Sequence, residues 1–150
     1  MIPSSSLVLL DTNVLIHLVR DSAVGRRILA DYALRDRRQR PLISIITVGE
    51  MLALSMKLRW GDNKRAALRG LFGNLVVVHP SQGGVVERYA EIDHFCEHVM
   101  KPARKMGQND MWIAATASVL GAHLLTTDSD FHHLDKQFIK LVHIDSDTGP

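Results

Sequence analysis

The stretch Leu7-Val8-Leu9-Leu10-Asp11-Thr12-Asn13-Val14-Leu15-Ile16 decides how this chain is read. Its four consecutive apolar residues are strand-sized. Their continuity, rather than alternation, suits a strand covered on both faces, as in a parallel sheet. Asp11 ends the run, and a helix-compatible stretch follows at 14–19. Four more apolar runs repeat the pattern, at 42–46, 75–78, 123–126 and 141–144. Helical candidates lie between them, near 23–36, 48–59, 64–72, 85–100 and 110–120. Strand–helix alternation predicts right-handed crossovers and a doubly wound α/β domain.

Composition agrees with that architecture. At 150 residues, 46% hydrophobic and 23% charged, the chain reads as a single domain over residues 1–150. A domain of that length buries about two-thirds of its unfolded surface. A disordered protein would carry fewer apolar residues and more net charge. A membrane span needs about 20 consecutive apolar residues, and no such run occurs, so no membrane partner is expected. The first apolar run is too short for a secretory signal. The lone Cys96 allows no internal disulfide and fits a reducing cytoplasm.

The net charge of +2 is unevenly spread. Residues 20–40 hold seven arginines against Asp21, Asp31 and Asp36, and residues 57–69 hold five basic residues against Asp62. Residues 128–150 hold five aspartates and two lysines. Basic flanks can hold a polyanion near an acidic centre, although solvated helix faces account equally for the charge runs. The helix starting near Val48 has an unusually wide apolar arc, with Leu54, Met56 and Trp60 extending the face of Val48, Met51 and Leu52. Burial inside the domain and a subunit interface both explain it.

Ligands of open parallel sheets bind outside the carboxyl ends of the strands, so the residues after each apolar run matter most. Asp11 follows the first run. Glu50 lies four residues after Ile46. Asp110 opens an alanine-rich helix, and Asp128 and Asp130 follow the fourth run. Each has a structural explanation as a helix cap, with Thr47-Val48-Gly49-Glu50 reading as a capping box. Taken together they place several acids at one edge of one sheet. Neighbouring carboxylates repel by about 4 kcal/mol per pair at 4 Å with an effective dielectric of 20. A divalent cation relieves that repulsion, and oxygen-only ligands select Mg²⁺ or Mn²⁺ over zinc.

The four segments Leu10-Asp11-Thr12-Asn13-Val14-Leu15-Ile16, Ser44-Ile45-Ile46-Thr47-Val48-Gly49-Glu50, Asn109-Asp110 and Leu125-Thr126-Thr127-Asp128-Ser129-Asp130-Phe131 together resemble the PIN-domain family. In size and layout the chain looks most like the VapC toxins of bacterial type II toxin–antitoxin pairs. The resemblance implies a PIN-like doubly wound domain with a central, mainly parallel five-stranded sheet flanked by helices. It implies an Mg²⁺- or Mn²⁺-dependent endoribonuclease whose acidic site is Asp11, Glu50, Asp110 and Asp128. Asp130 matches a further acid, either a ligand or an outer group, and Thr12, Asn13 and Thr127 match polar orienting positions. A homodimer and a small inhibitory antitoxin protein are implied as partners beside the RNA substrate. Hydrolysis of that kind leaves a 3′-hydroxyl and a 5′-phosphate.

Other constellations read less well. His94, Cys96 and His98 resemble a zinc cluster, but on a helix Cys96 points roughly 200° away from His94. His132 and His133 lack a partner for metal-free acid–base cleavage. The segment around Asp11 also faintly resembles haloacid-dehalogenase-type phosphatases, yet Asn13 stands where their second aspartate is expected. A non-catalytic RNA-binding module is the remaining alternative.

Overall fold

The computed structural model describes residues 2–147. Five strands, β1 (Val8–Leu10), β2 (Leu42–Ser44), β3 (Val76–Val78), β4 (His123–Thr126) and β5 (Lys140–His143), form one sheet in the order β3-β2-β1-β4-β5. Every neighbouring pair is parallel, with Leu9 opposite both Leu42 and Leu124. The expected mainly parallel sheet is therefore wholly parallel. Chain order runs outward from β1 to β3 and then restarts at β4 on the other side. The crevice between the ends of β1 and β4 is thus the topological switch point, where such sheets bind ligands.

Both faces of the sheet are covered, which explains the continuous apolar runs. Leu9, Leu42 and Leu124 pack into one core with α5 (Val85–His94) and α6 (Gln108–Leu120). Val8, Leu10, Ile43 and Leu125 pack into the other with α1 (Thr12–Val19), α2 (Ala23–Asp31), α3 (Ile45–Lys57) and α4 (Asp62–Gly73). Successive side chains along a strand point to opposite layers. Where α1 and α2 meet, a Cβ on Gly25 would lie 2.4 Å from the carbonyl oxygen of His17. Only glycine allows that approach.

Several local expectations are corrected. The second apolar run ends as a strand at Ser44, whose hydroxyl accepts from the Ile46 amide and caps α3. Ile45 and Ile46 are therefore the first turn of a helix, and Thr47 lies inside it, so Thr47 to Glu50 is not a capping box. The second helix stops at Asp31 rather than residue 36. The helix beginning at Val85 is α-helical to His94 and continues as a π turn over Phe95–Val99. Trp60 is 6% exposed and packs into the domain's own core, so it is not surface available to a partner. The apolar residues that α3 and its C-cap do expose are Leu52, Met56 and Leu58.

The arginine-rich stretch is not one basic face either. Arg37 is 8% exposed. Its guanidinium donates to the carbonyls of Tyr32, Pro3 and Ser6, tying the N-terminal segment to the end of α2. His94 and His98 are both exposed with rings 5.1 Å apart, while Cys96 is buried with Sγ 3.4 Å from His133 Nε2. The three do not converge as a zinc site.

Candidate active site

Asp11 stands one residue beyond β1, where its backbone N–H still donates to the Leu125 carbonyl at 2.9 Å. One carboxylate oxygen accepts the Thr12 amide at 2.8 Å, capping α1. The other accepts the Thr126 hydroxyl at 2.7 Å and the Asn13 side-chain amide at 3.1 Å. The cap reading of Asp11 is thus correct, yet it engages only one oxygen. The second belongs to a polar network across the switch point.

Thr126, the fully buried last residue of β4, is the hub of that network. Its hydroxyl donates to Asp11 and accepts from the Asp128 amide at 3.0 Å and from Asn13 Nδ2 at 3.2 Å. One donor and two acceptor sites are thereby all used. Asn13 Oδ1 accepts the Thr127 amide at 3.0 Å. Thr127 therefore contributes its backbone N–H, and the hydroxyl that orients Asp11 comes from its neighbour Thr126, which sequence reasoning passed over. The available signal was positional: a threonine ending the strand beside β1 is aimed at whatever follows β1.

Glu50 enters from α3. Its Oε1 accepts the Thr12 hydroxyl at 2.7 Å, and Thr12 Oγ1 also lies 3.1 Å from the hydroxyl of fully buried Thr47. Placing the helix start at Ser44 sets Thr47 and Glu50 one turn apart on the face toward α1, since residues three apart are neighbours on a helix. Asp110 sits in the first turn of α6, half-buried, and makes no hydrogen bond among the described residues. Asp128 Oδ1 accepts the Asp130 amide at 2.9 Å, capping the short 3₁₀ turn Ser129–Leu134.

Asp110, Asp128 and Asp130 form the tightest acidic group, each offering an oxygen within 4.8 Å of the others. Asp11 and Glu50 lie outside that trio but couple to it electrostatically. Burial pushes the Asp110 carboxyl up to about 7, reinforced by the charges of Asp11, Asp128, Glu50 and Asp130. Burial likewise raises Asp11 to about 6, with Glu50 and Asp128 adding to the rise and the bonds from Thr126 and Thr12 opposing it. Burial is the larger cause of both shifts, and the neighbouring carboxylates add negative charge on top of it. The one ion pair among the described residues that reaches these five acids is Arg104 to Asp130, at 3.3 Å.

The donor set fits a hard divalent cation. It is all oxygen, with no sulfur or imidazole in the group. Opposite ligands of an ion with bonds of about 2.1 Å stand about 4.2 Å apart, close to the spacing of the trio. Two clefts flank the acids. One of about 600 Å³ includes Glu50, Asn109, Ile45, Ile46 and Lys57. The other, of about 700 Å³, includes Arg104, Lys105, Gln108 and Tyr89.

Comparison with known proteins bears on the family and the fold. Residues 8–137 match the PIN domain family. No curated protein of similar sequence was found. Among solved structures, the chain is similar to VapBC2 from Rickettsia felis bound to a DNA fragment from its promoter, with a TM-score of 0.76 at 21% identity, covering 93% of this chain and 99% of that one. It is similar to VapBC-1 from nontypeable Haemophilus influenzae, with a TM-score of 0.73 at 23% identity, covering 91% and 97%. VapBC-5 from Mycobacterium tuberculosis, a member of the VapBC family of toxin–antitoxin systems, matches with a TM-score of 0.65 at 20% identity, covering 93% and 99%. At those identities the likeness is one of fold.

Proposed function

This chain belongs to the PIN-domain family, whose members are generally nucleases, and we propose that it is a divalent-metal-dependent endoribonuclease acting as the toxin of a toxin–antitoxin pair. The observation that carries the reading is the acidic trio with Asp11 and Glu50 beside it, an all-oxygen set at the switch point of the sheet. Asp110, Asp128 and Asp130 would hold Mg²⁺ or Mn²⁺, with Asp11 and Glu50 completing the acidic surround. Such an ion, when bound, lowers the pKa of a coordinated water and offsets charge on phosphoryl oxygens.

The chain's own residues supply position. Thr126 and Asn13 fix the rotamer of Asp11, and Thr12 fixes that of Glu50. When no cation is present Asp110 is half-protonated at about pH 7 and Asp11 at about pH 6. Water adds to phosphorus opposite the 3′ oxygen, the P–O3′ bond breaks, and the leaving oxygen takes up a proton. The products are a 3′-hydroxyl and a 5′-phosphate.

The toxin reading draws support from the VapBC neighbours and from α3. Leu52 and Met56 expose apolar surface, Met56 at 70%, which an antitoxin or a second copy of this chain would cover. The single cysteine and an RNA substrate fit a cytoplasmic protein. The test is incubation of single-stranded RNA with purified protein in Mg²⁺, in Mn²⁺ and in EDTA, with end-group analysis of the fragments. Cleavage confined to the two metals, leaving 5′-phosphates, is expected. Cleavage that survives EDTA defeats the metal mechanism, and RNA bound but uncut in Mg²⁺ marks a binding module instead.

A further inference from the structure

We infer that Arg104 is a substrate-binding residue, which leaves Asp130 to take a backbone phosphate of the RNA. The inference rests on the nuclease reading above and names the group that seats the polyanion beside five carboxylates.

Arg104 lies in the segment between the π turn and α6, a stretch with no motif in the sequence. Its side chain is the cation that meets the acidic group, with Nη2 3.3 Å from Asp130 Oδ1. The two side chains are 43% and 57% exposed, and exposed ion pairs of that kind contribute little to stability. Exchanging the carboxylate for another anion is therefore cheap. Phosphate is the better partner, because the planar guanidinium can donate two parallel bonds to phosphoryl oxygens.

The main chain, not the ion pair, places Arg104. Its backbone N–H donates to the Cys96 carbonyl at 2.9 Å, and Met106 two residues on is buried in the core. The guanidinium would stay beside the acids after releasing Asp130. Release also frees Asp130 Oδ1 within the trio.

The clefts give the path. Gln108 and Asn109, adjacent at the start of α6 just before Asp110, line different clefts. Arg104 and Lys105 line the Gln108 cleft together with Asp93 and Glu97, and Lys57 and Glu50 line the Asn109 cleft. A strand laid from one cleft to the other would pass the start of α6, where Asp110 sits in the first turn and phosphates meet negative charge. Arg104 would offset that charge on a phosphate beside Asp130, leaving the trio to the cation.

The experiment compares wild type, Arg104→Ala and Arg104→Lys in two assays. One is binding of a fluorescent single-stranded RNA in EDTA, followed by anisotropy across a salt series. The other is steady-state cleavage in Mg²⁺. Arg104→Ala should weaken binding and raise KM about tenfold, with kcat changed less than about threefold. The slope of log K against log salt should fall by about 0.7, the loss of one single-strand phosphate contact. Arg104→Lys should keep the slope and recover part of the affinity. Unchanged affinity and slope in Arg104→Ala, or a loss of kcat alone, overturns the inference. A purely structural role would lower the melting temperature and leave the slope untouched, which also overturns it. If wild type fails to cut RNA while its binding still depends on Arg104, the nuclease reading falls and this inference stands.

Discussion

Replacing Asp110 with asparagine should abolish cleavage yet stabilise the metal-free protein above pH 7. The Asp110 carboxyl is raised from 3.8 to about 7, first by burial and then by Asp11, Asp128, Glu50 and Asp130. The folded state thus binds a proton more tightly than the unfolded state, so stability falls as pH rises from about 4 to about 7. At 1.36 kcal/mol per pH unit the full cost is about 4 kcal/mol. Asp110 is only half-buried, and solvent screening reduces that to about 1–2 kcal/mol. Asparagine escapes this cost and gives up no hydrogen bond, since Asp110 makes none among the described residues. It does forfeit about 0.5 kcal/mol of favourable charge in the first turn of α6. The net gain is about 1 kcal/mol, or about 2–4 °C in Tm for a domain of this size. Thermal melts of both proteins in EDTA at pH 8 and pH 4 measure it. The gap should appear at pH 8 and vanish at pH 4, where Asp110 is protonated in the folded state. An Asp110→Asn protein melting below wild type at pH 8 would refute the crowded-carboxylate account.

Thr126→Val keeps the shape but strips three hydrogen bonds from the buried hub. It should cost about 1–3 kcal/mol and most of the cleavage rate, with Thr126→Ser restoring both in paired melting and activity assays. Gly25→Ala sets a Cβ against the His17 carbonyl, so it should destabilise by about 1–3 kcal/mol in urea titration while leaving the per-molecule cleavage rate of folded protein unchanged. Met56→Glu places a charge on the exposed face of α3. Light scattering should show a smaller particle than wild type with an unaltered Tm, and equal masses would remove α3 from any self-association.

The element order was legible because burial on both sheet faces forces continuous apolar runs, and the site because so many acids at one sheet edge exceed what capping requires. Boundaries were less legible for identifiable reasons. Ile45 and Ile46 are β-branched and extend an apolar run, yet the Ser44 hydroxyl caps the chain into helix at that point. Trp60 continues the apolar arc of α3, which suits an interface as well as a core, and after the helix ends at Lys57 the chain turns and buries it. Charge counting missed Arg37, since a guanidinium whose terminal nitrogens donate to three carbonyls can sit inside. In the site, the acids were legible by position and Thr12 and Asn13 by resemblance, while the Thr126 hydroxyl was not. Thr126 and Thr127 are adjacent and chemically identical, and only strand register separates the side chain that points at Asp11 from the one that does not.

The central claim is that these acids gather to hold a divalent cation. Calorimetric titration of Mn²⁺ into metal-free protein at pH 7, repeated in two buffers of different ionisation enthalpy, tests it directly. Asp110, with a pKa of about 7, is about half-protonated at that pH, and a cation entering beside it must displace that proton. The expected result is saturable binding with net proton release, lost in an Asp110→Asn, Asp128→Asn double variant that remains folded. Absence of binding, or binding of equal strength to the double variant, would contradict the account.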